Sequence, residues 1–282
     1  MRRSAILITA LLGVAFAAAS ASGSTIVGRN VSRVTLSIDT HGKAHISYAV
    51  HGRRKWLTAW GAINARAPRP GGHQVKFRLR YGQRGKGKCL PYDGPALPWL
   101  VKACKAPHGS YWALQSWQRL EPNYGGTKAP HELQLSHWRG ALPVITIYQD
   151  WVEGGRYRHL FGRFTYHGHG VFGYKSTPGG NPLDSFGRNV YVDTFNSAYG
   201  TGWKRENSFL THTNTGVFCY SVNPHGSHPA GKGEKYRATV EGPGVTPDVM
   251  WEGLAPGPYD KTADVSANDA IVQLGDRQCR AN

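Results

Sequence analysis

A row of basic side chains is the strongest chemical pattern in this 282-residue sequence. From Gln74 to Tyr81 basic and apolar residues alternate, and a glycine-rich basic segment follows. The cations are Lys76, Arg78, Arg80, Arg84, Lys86 and Lys88. Arginine can bind phosphate and carboxylate groups in a bidentate manner, and glycine lets the backbone approach them. The pattern predicts an anion-binding strand and loop, and the alternative is a solvated face on a protein that is simply basic.

Carboxylates are the only candidates for catalysis, because the sequence lacks nucleophile, phosphate-loop and dinucleotide-binding motifs. The acids considered are Asp150, Glu153, Asp184, Asp193 and Glu206. Two carboxylates about 5–10 Å apart would suit glycoside cleavage. Sequence spacing does not fix such a distance across strands. We therefore favour a non-catalytic protein and keep a secreted carboxylate-dependent hydrolase of envelope glycans as the alternative.

Thirteen histidines raise the question of a metal site. The pairs in His167–His169 and His225–His228 have no third ligand nearby at a familiar spacing. A zinc-protease pattern that would start at His131 fails at Leu135. We expect surface histidines, no metal site and no cofactor.

Four cysteines follow the N-terminal apolar run, namely Cys89, Cys104, Cys219 and Cys279. An even number of cysteines in an exported chain predicts two disulfides. Three pairings are possible. We favour Cys89–Cys104 with Cys219–Cys279, because each pair lies within one half of the chain.

The N-terminus has the features of a secretory signal peptide. Arg2 and Arg3 precede the apolar run from Ala5 to Ala19, and small residues favour cleavage after Ala21. No second long apolar stretch follows, so we expect no transmembrane segment in the mature chain. The protein is thus predicted to be secreted or envelope-associated, and its oligomeric state is left open.

Positive charge is concentrated in one quarter of the chain. Residues 22–92 contain 14 Lys and Arg but a single acid, Asp39, whereas the residues from position 93 onward contain 18 bases and 16 acids. Such a focused field attracts anionic polymers or anionic membrane surfaces. The sequence therefore predicts a non-catalytic protein that binds an anionic cell-envelope polymer or another polyanion.

The elements that would position these residues are mainly β-strands. Alternating apolar residues from Ser32 to Asn64 predict an antiparallel meander, with Trp56 and Trp60 on one side of its third strand. Glycine and proline at positions 66–72 favour a linker. We therefore divide the chain into a signal peptide (1–21), a basic N-terminal β meander (22–70) and a main β-rich, disulfide-containing domain (71–282).

The main domain is predicted to be an antiparallel sandwich or an irregular barrel with one short helix over about residues 95–105. Pro95 suits a first helical turn, and Leu97, Leu100, Val101 and Cys104 recur at helical spacing. The predicted strands are Gln74–Tyr81, Tyr111–Trp117, Glu132–Trp138, Pro143–Trp151, Arg158–Tyr166, Val171–Tyr174, Asn189–Phe195, Gly216–Val222, Tyr236–Val240 and Ala270–Leu274.

Three stretches, Cys89–Pro95, Lys105–Arg119 and His159–Arg163, resemble a group of secreted bacterial proteins of unknown function. The resemblance extends over most of the chain after about position 70. It implies export. It carries no catalytic residues over to this sequence, because the group has no assigned activity.

Overall fold

Strands dominate this computed structural model, with about two thirds of the described residues in strands and 1% in helix. The structure describes residues 24–63, 77–120, 125–142, 144–153, 157–166, 169–170, 175–176, 182–183, 189–205, 209–212, 217–222, 233–241, 248–254 and 262. The mainly β fold expected from the sequence is confirmed, and the sheets formed by the described residues do not close into a barrel.

Nineteen strands are present in the described part of the chain. In chain order they are β1 Ser24–Arg29, β2 Ser32–Ile38, β3 Ala44–Val50, β4 Arg53–Gly61, β5 Phe77–Tyr81, β6 Leu100–Lys105, β7 Tyr111–Leu120, β8 Thr127–Trp138, β9 Val144–Glu153, β10 Tyr157–Tyr166, β11 His169–Gly170, β12 Lys175–Ser176, β13 Pro182–Leu183, β14 Asn189–Ser197, β15 Gly200–Arg205, β16 Phe209–His212, β17 Val217–Val222, β18 Lys235–Glu241 and β19 Val249–Leu254.

Two four-stranded antiparallel sheets form a sandwich around the main core. The first sheet has the order β2-β3-β4-β5, and the second sheet has the order β1-β8-β7-β6. Leu36, Ile46 and Leu57 of the first sheet meet Trp112 and Leu133 of the second, and all five are at most 4% exposed. Because strand side chains alternate, the neighbours of the core residues project to the opposite, outer face of each sheet.

Tight turns join the strands of the predicted meander, which is confirmed as β2, β3 and β4. Between β2 and β3, Oδ1 of Asp39 accepts hydrogen bonds from the amides of His41 and Lys43. Between β3 and β4, His51 and Gly52 have φ angles of 48° and 77°, as a two-residue hairpin turn requires.

Both sheets of the sandwich contain strands from either side of position 70. β1 precedes the meander and pairs with β8, from Ser24 opposite Ser136 to Arg29 opposite Glu132. β5 follows position 70 and pairs with β4. The predicted boundary lies within residues 64–76, outside the described residues, so the division into two domains stays a prediction.

The predicted helix over residues 95–105 is wrong. Residues from Leu100 onward form β6, whose backbone pairs with β7, and Trp99 has a φ of 52°, which no right-handed helix accommodates. The residues at helical spacing do not share a buried face, since Leu100 is 43% and Val101 is 41% exposed. In a short apolar run, periodicity alone does not distinguish a strand from a helix. Residues 100–105 form a strand because their backbone pairs with β7.

Two further sheets complete the described fold. One contains β11-β10-β17-β16 with β9 beside β10, and the other contains β12-β13-β14-β18-β19 with β15 beside β14. The strands predicted around β7, β8, β9, β10, β14, β17 and β18 are confirmed. The strands predicted at 171–174 and 270–274 lie outside the described residues.

Candidate functional site

The outer face of the first sheet carries the basic strand. β5 lies at the edge of this sheet, and its register places Arg78 opposite Trp60 of β4. Leu79 packs against the core, so Arg78 and Arg80 project outward, and both are exposed. The predicted separation of basic and apolar faces is confirmed for residues 77–80. Lys76 lies outside the described residues.

Residues 82–88, which we call the basic loop, run from β5 at one edge of the first sheet to β2 at the other. At its end, the amide of Lys88 donates to the carbonyl of Ile38 at 2.9 Å, and the amide of Ile38 donates to the carbonyl of Lys88 at 2.9 Å. The strand order means that the loop passes over β4 and β3. It is therefore held over the face that carries Arg78 and Arg80.

Two glycines allow this close approach. A Cβ atom at Gly85 would overlap the ring of His45 on β3, and one at Gly87 would overlap the carbonyl of Ile38. The ring of His45 is itself held in place, because its Nε2 lies 3.1 Å from Oδ2 of Asp39. Gly85 and Gly87 therefore let the loop pack closely on the sheet, in addition to allowing a ligand to approach the backbone.

A disulfide fixes the end of the basic loop. Cys89 follows the loop directly and is bonded to Cys104 of β6, with the two Cα atoms 5.0 Å apart. This confirms the first predicted pairing, and a crosslink between residues 15 positions apart stabilises the fold by roughly 3 kcal/mol. The backbone of Cys219 lies in β17, and Cys279 lies outside the described residues, so the second pairing stays a prediction.

Trp56 and Trp60 of β4 lie on the outer face among the cations. The guanidinium carbon of Arg84 is 4.4 Å from the ring centroid of Trp56. Nζ of Lys43 and the guanidinium carbon of Arg80 are 5.7 and 5.8 Å from the ring centroid of Trp60. Each contact contributes about 0.5–1 kcal/mol at an exposed site. A guanidinium stacked in this way keeps its N–H edge available to an anion.

Asp39, the only acid between positions 22 and 92, is fully engaged in the turn after β2. One of its oxygens accepts from the amides of His41 and Lys43, each at 2.9 Å, and the other faces His45. Burial raises the pKa of Asp39, but the hydrogen bonds from Lys43 and His45 outweigh burial and leave its pKa below the usual value. The carboxylate thus holds the turn and His45 in place.

The cations of the strand and loop are not neutralised within the described part of the chain. They are exposed, and none forms an ion pair with a carboxylate there; they are Arg78, Arg80, Arg84, Lys86 and Lys88. Arg80 makes only a long hydrogen bond, from Nη1 to Oε1 of Gln83 at 3.5 Å. We call these five residues together with Lys43, Trp56 and Trp60 the basic face.

Sequence reasoning missed Lys43 as a member of this site. Lys43 stands in a turn 34 positions before the start of β5, and its contact with Trp60 brings it into the site. The alternation of β4 did place Trp56 and Trp60 on one side. The alternation of β4 did not predict that the basic loop would pass over Trp56 and Trp60.

The carboxylates considered for catalysis do not form a described site. Asp193 is fully buried, and its oxygens accept hydrogen bonds from Nε of Arg205 and Nε of Arg237, both at 2.8 Å. It therefore balances two buried cations. The side chains of Asp150 and Glu153, and the whole of Asp184 and Glu206, lie outside the described residues.

No group of three or more His, Cys, Asp or Glu side chains that could hold a metal ion occurs among the described residues. His137, at the end of β8, is instead buried in a chain of hydrogen bonds with Ser110 and the carbonyl of Gly61. Ser110 is 0% exposed, so it is not positioned to attack a substrate from solvent.

No family model, curated protein or solved structure matches this chain. The resemblance to secreted bacterial proteins therefore stays a prediction. Among the residues that the structure describes, no helix combines the length and the apolar character needed to span a bilayer.

Proposed function

We propose that this protein is exported, stays in or near the cell envelope, and binds an anionic envelope polymer or another polyanion without catalysing a reaction. The ligand would bind to the basic face. The observation that carries the proposal is the convergence of five exposed cations from β5 and the basic loop on one side of the first sheet, none of which pairs with a carboxylate in the described part of the chain.

The fixed position of the basic loop supports a binding function for its cations, rather than a role in solubility alone. The loop is anchored to β2 by two backbone hydrogen bonds and to β6 by the Cys89–Cys104 disulfide. Stacking on Trp56 and Trp60 restricts Arg84 and Arg80 further. Less conformational freedom is then lost when an anion binds.

Charge distribution supports the same proposal. Residues 22–92 hold 14 basic residues against one acid, and the acid is occupied by the turn after β2. Repeated phosphate or carboxylate groups would displace counterions from such a face, so binding should weaken steeply with salt. The disulfide is compatible with export into an oxidising compartment.

The test is co-sedimentation of the mature protein with envelope sacculi, with and without their anionic polymers, across a salt series. We expect retention that requires the polymers and is lost at high salt. The double substitution Arg78→Glu with Arg80→Glu should weaken retention at least tenfold at low salt, because each cation near an anionic surface contributes about 1 kcal/mol.

A matched pair of single substitutions separates the basic face from net charge. Lys86→Glu and Lys102→Glu change the charge equally at exposed lysines, but Lys102 lies on β6 of the second sheet. Lys86→Glu should weaken retention more than Lys102→Glu. Equal effects, or retention that needs no anionic polymer, would contradict the proposal, provided that circular dichroism shows all variants to be folded.

A further inference from the structure

A cleft of about 1000 Å³ opens beside the basic face, between β1 and the ends of β3, β4 and β5. Trp56 and Gly82 belong both to the cleft lining and to the region of the basic face, so the two surfaces adjoin. A volume of this size accommodates a small organic molecule or one or a few sugar units.

The charges that line the cleft are all positive. Arg29, Arg54 and Lys55 line it, and none of the described lining residues is acidic. Arg29 lies 3.3 Å from Glu132. Nη2 of Arg54 donates to Oγ of Ser47 at 2.6 Å, and Lys55 is exposed without an ion pair in the described part of the chain. Because side chains alternate along β4, Lys55 lies on the same face as Tyr81 and Arg54 lies on the opposite face, so Lys55 is the cation that can donate hydrogen bonds to an anionic group beside Tyr81.

Aromatic rings form part of the same wall. The side chain of Tyr81 lines the cleft and is 56% exposed. Tyr48 is buried, and its hydroxyl donates to the carbonyl of Val27 at 2.7 Å, which ties β3 to β1 beneath the opening. An exposed ring beside cations can pack on the C–H face of a sugar while the cations bind its charged group.

Hydrogen bonds support the rim of the cleft at Asn30. Asn30 and His51 each have a φ of 48°, which the hairpin turn requires of His51 and which Asn adopts more readily than most residues. The amide of Asn30 donates to the carbonyl of His131 at 2.9 Å, and Oδ1 of Asn30 accepts from the amide of His131 at 3.0 Å. This part of the rim is therefore preformed, so less conformational freedom is lost when a ligand binds.

We propose that this cleft binds a sugar unit that bears a carboxylate or a phosphate, with the ring on Tyr81 and the anionic group on Lys55. The inference deepens the proposed function and rests on it for the source of the ligand, because an anionic envelope polymer would present such units. The basic face would then bind the length of the polymer, while the cleft recognises a single unit.

Calorimetric titration of the folded protein with three defined probes tests the inference. Trigalacturonate supplies carboxylates, glucose 6-phosphate supplies a phosphate, and maltotriose is neutral. We expect saturable one-to-one binding of at least one acidic probe, at least tenfold tighter than that of maltotriose. The acidic probe that binds better identifies the anionic group. Absence of saturable binding to both acidic probes, or equal binding of maltotriose, would overturn the inference.

Substitutions locate the binding in the cleft. Lys55→Gln should weaken binding of the acidic probe about tenfold, which corresponds to the loss of one charge-assisted hydrogen bond. Lys102→Gln is the matched control, since it removes the same charge from an exposed lysine on β6, outside both the cleft and the basic face, and should leave probe affinity unchanged. Tyr81→Ala should also weaken binding, and Tyr81→Phe should restore it because the ring is retained.

The two proposals fail in different ways. Probe affinities that Lys55→Gln and Tyr81→Ala leave unchanged would overturn the cleft assignment, even if sacculi still retain the protein. Probe binding that Lys55→Gln weakens about tenfold and that Arg78→Glu with Arg80→Glu preserves would support the cleft. If sacculi then failed to retain the wild-type protein, the proposed function would be the part that is wrong.

Discussion

Burial of one histidine ring makes stability depend on pH. Nδ1 of His137 lies 2.8 Å from the carbonyl of Gly61, so this nitrogen carries the proton and donates. Nε2 then accepts from the hydroxyl of Ser110 at 2.8 Å, and the ring stacks on Trp112 with centroids 3.7 Å apart. Burial lowers the pKa of His137 to about 4. The native protein therefore holds this ring neutral at physiological pH.

Acid should destabilise the fold through His137 at pH values where most carboxylates are still ionised. The ring has an unfolded pKa of 6.5 and a folded pKa of about 4, so the unfolded state binds the extra proton first as pH falls. The stabilising contribution is complete above about pH 6.5 and is lost between there and about pH 4. It amounts to about 3 kcal/mol at most.

Urea unfolding at pH 7.5 and pH 5 checks this prediction. His137→Asn lacks the titrating ring, so its free energy of unfolding, although lower at pH 7.5, should change less between the two pH values than that of the wild type. His41→Asn, at an exposed turn position, is the control and should keep the wild-type difference. Equal pH dependence in His137→Asn and wild type would show that another group is responsible.

At the scale of elements, the position of the basic loop depends on Gly85. Gly85→Ala adds a Cβ atom that would overlap the ring of His45, so either the loop or the ring must move. Such overpacking costs about 1–3 kcal/mol. We expect a lower free energy of unfolding and weaker retention on anionic polymer at low salt, measured by urea titration and co-sedimentation.

Gln83→Ala supplies the comparison for Gly85→Ala. Gln83 is exposed in the same loop, and its only described contact is the long hydrogen bond from Arg80. This variant should retain wild-type stability and nearly wild-type retention on the polymer. If Gly85→Ala matched Gln83→Ala in both measurements, the loop would not lie on His45 as described.

Sequence patterns predicted the elements of the site better than their assembly. The sequence predicted the alternation around Arg78 and Arg80 and the hairpins of the meander, because both depend on local side-chain periodicity. It also predicted the Cys89–Cys104 disulfide, because four cysteines allow only three pairings. The sequence did not predict that the basic loop pairs with Ile38, about 50 positions earlier in the chain. Backbone pairing between distant segments leaves no local sequence pattern. The wrong helix over residues 95–105 has the same origin, because pairing with β7 overrode the local pattern.

At the scale of the whole molecule, the sandwich and the six-stranded sheet are joined by buried polar groups. Asp248 precedes β19, and its carboxylate accepts from Oγ of Ser24 at 3.1 Å and from Nε1 of Trp117 at 3.2 Å. Arg237 of β18 lies with its guanidinium carbon 4.3 Å from the ring centroid of Trp203 and 5.6 Å from that of Trp99. The rings of Trp99 and Trp117 stack on one another, which continues the contact into the second sheet.

The carboxylate of Asp193 holds Arg237, one of the residues at this junction. It is 0% exposed and compensates both Arg205 and Arg237, which are 3% and 9% exposed. Asp193→Asn would remove the negative charge that both of these buried guanidinium groups face. Because breaking a buried ion pair costs about 3–5 kcal/mol, urea unfolding should show a loss of that size. Asp93→Asn breaks the exposed pair with Lys105 and should have little effect.

Asp193→Asn also tests whether binding by the basic face depends on the stability of the six-stranded sheet. Asp193 belongs to β14, whereas the basic face belongs to the first sheet and to the loop tied to it by Cys89 and Cys104. Folded Asp193→Asn protein should therefore be retained on anionic polymer as well as the wild type at conditions where both are native. Normal stability of Asp193→Asn would contradict the role given to the buried ion pairs of Asp193. Lost retention in a folded Asp193→Asn variant would instead show that the basic face does not bind the polymer independently of the six-stranded sheet.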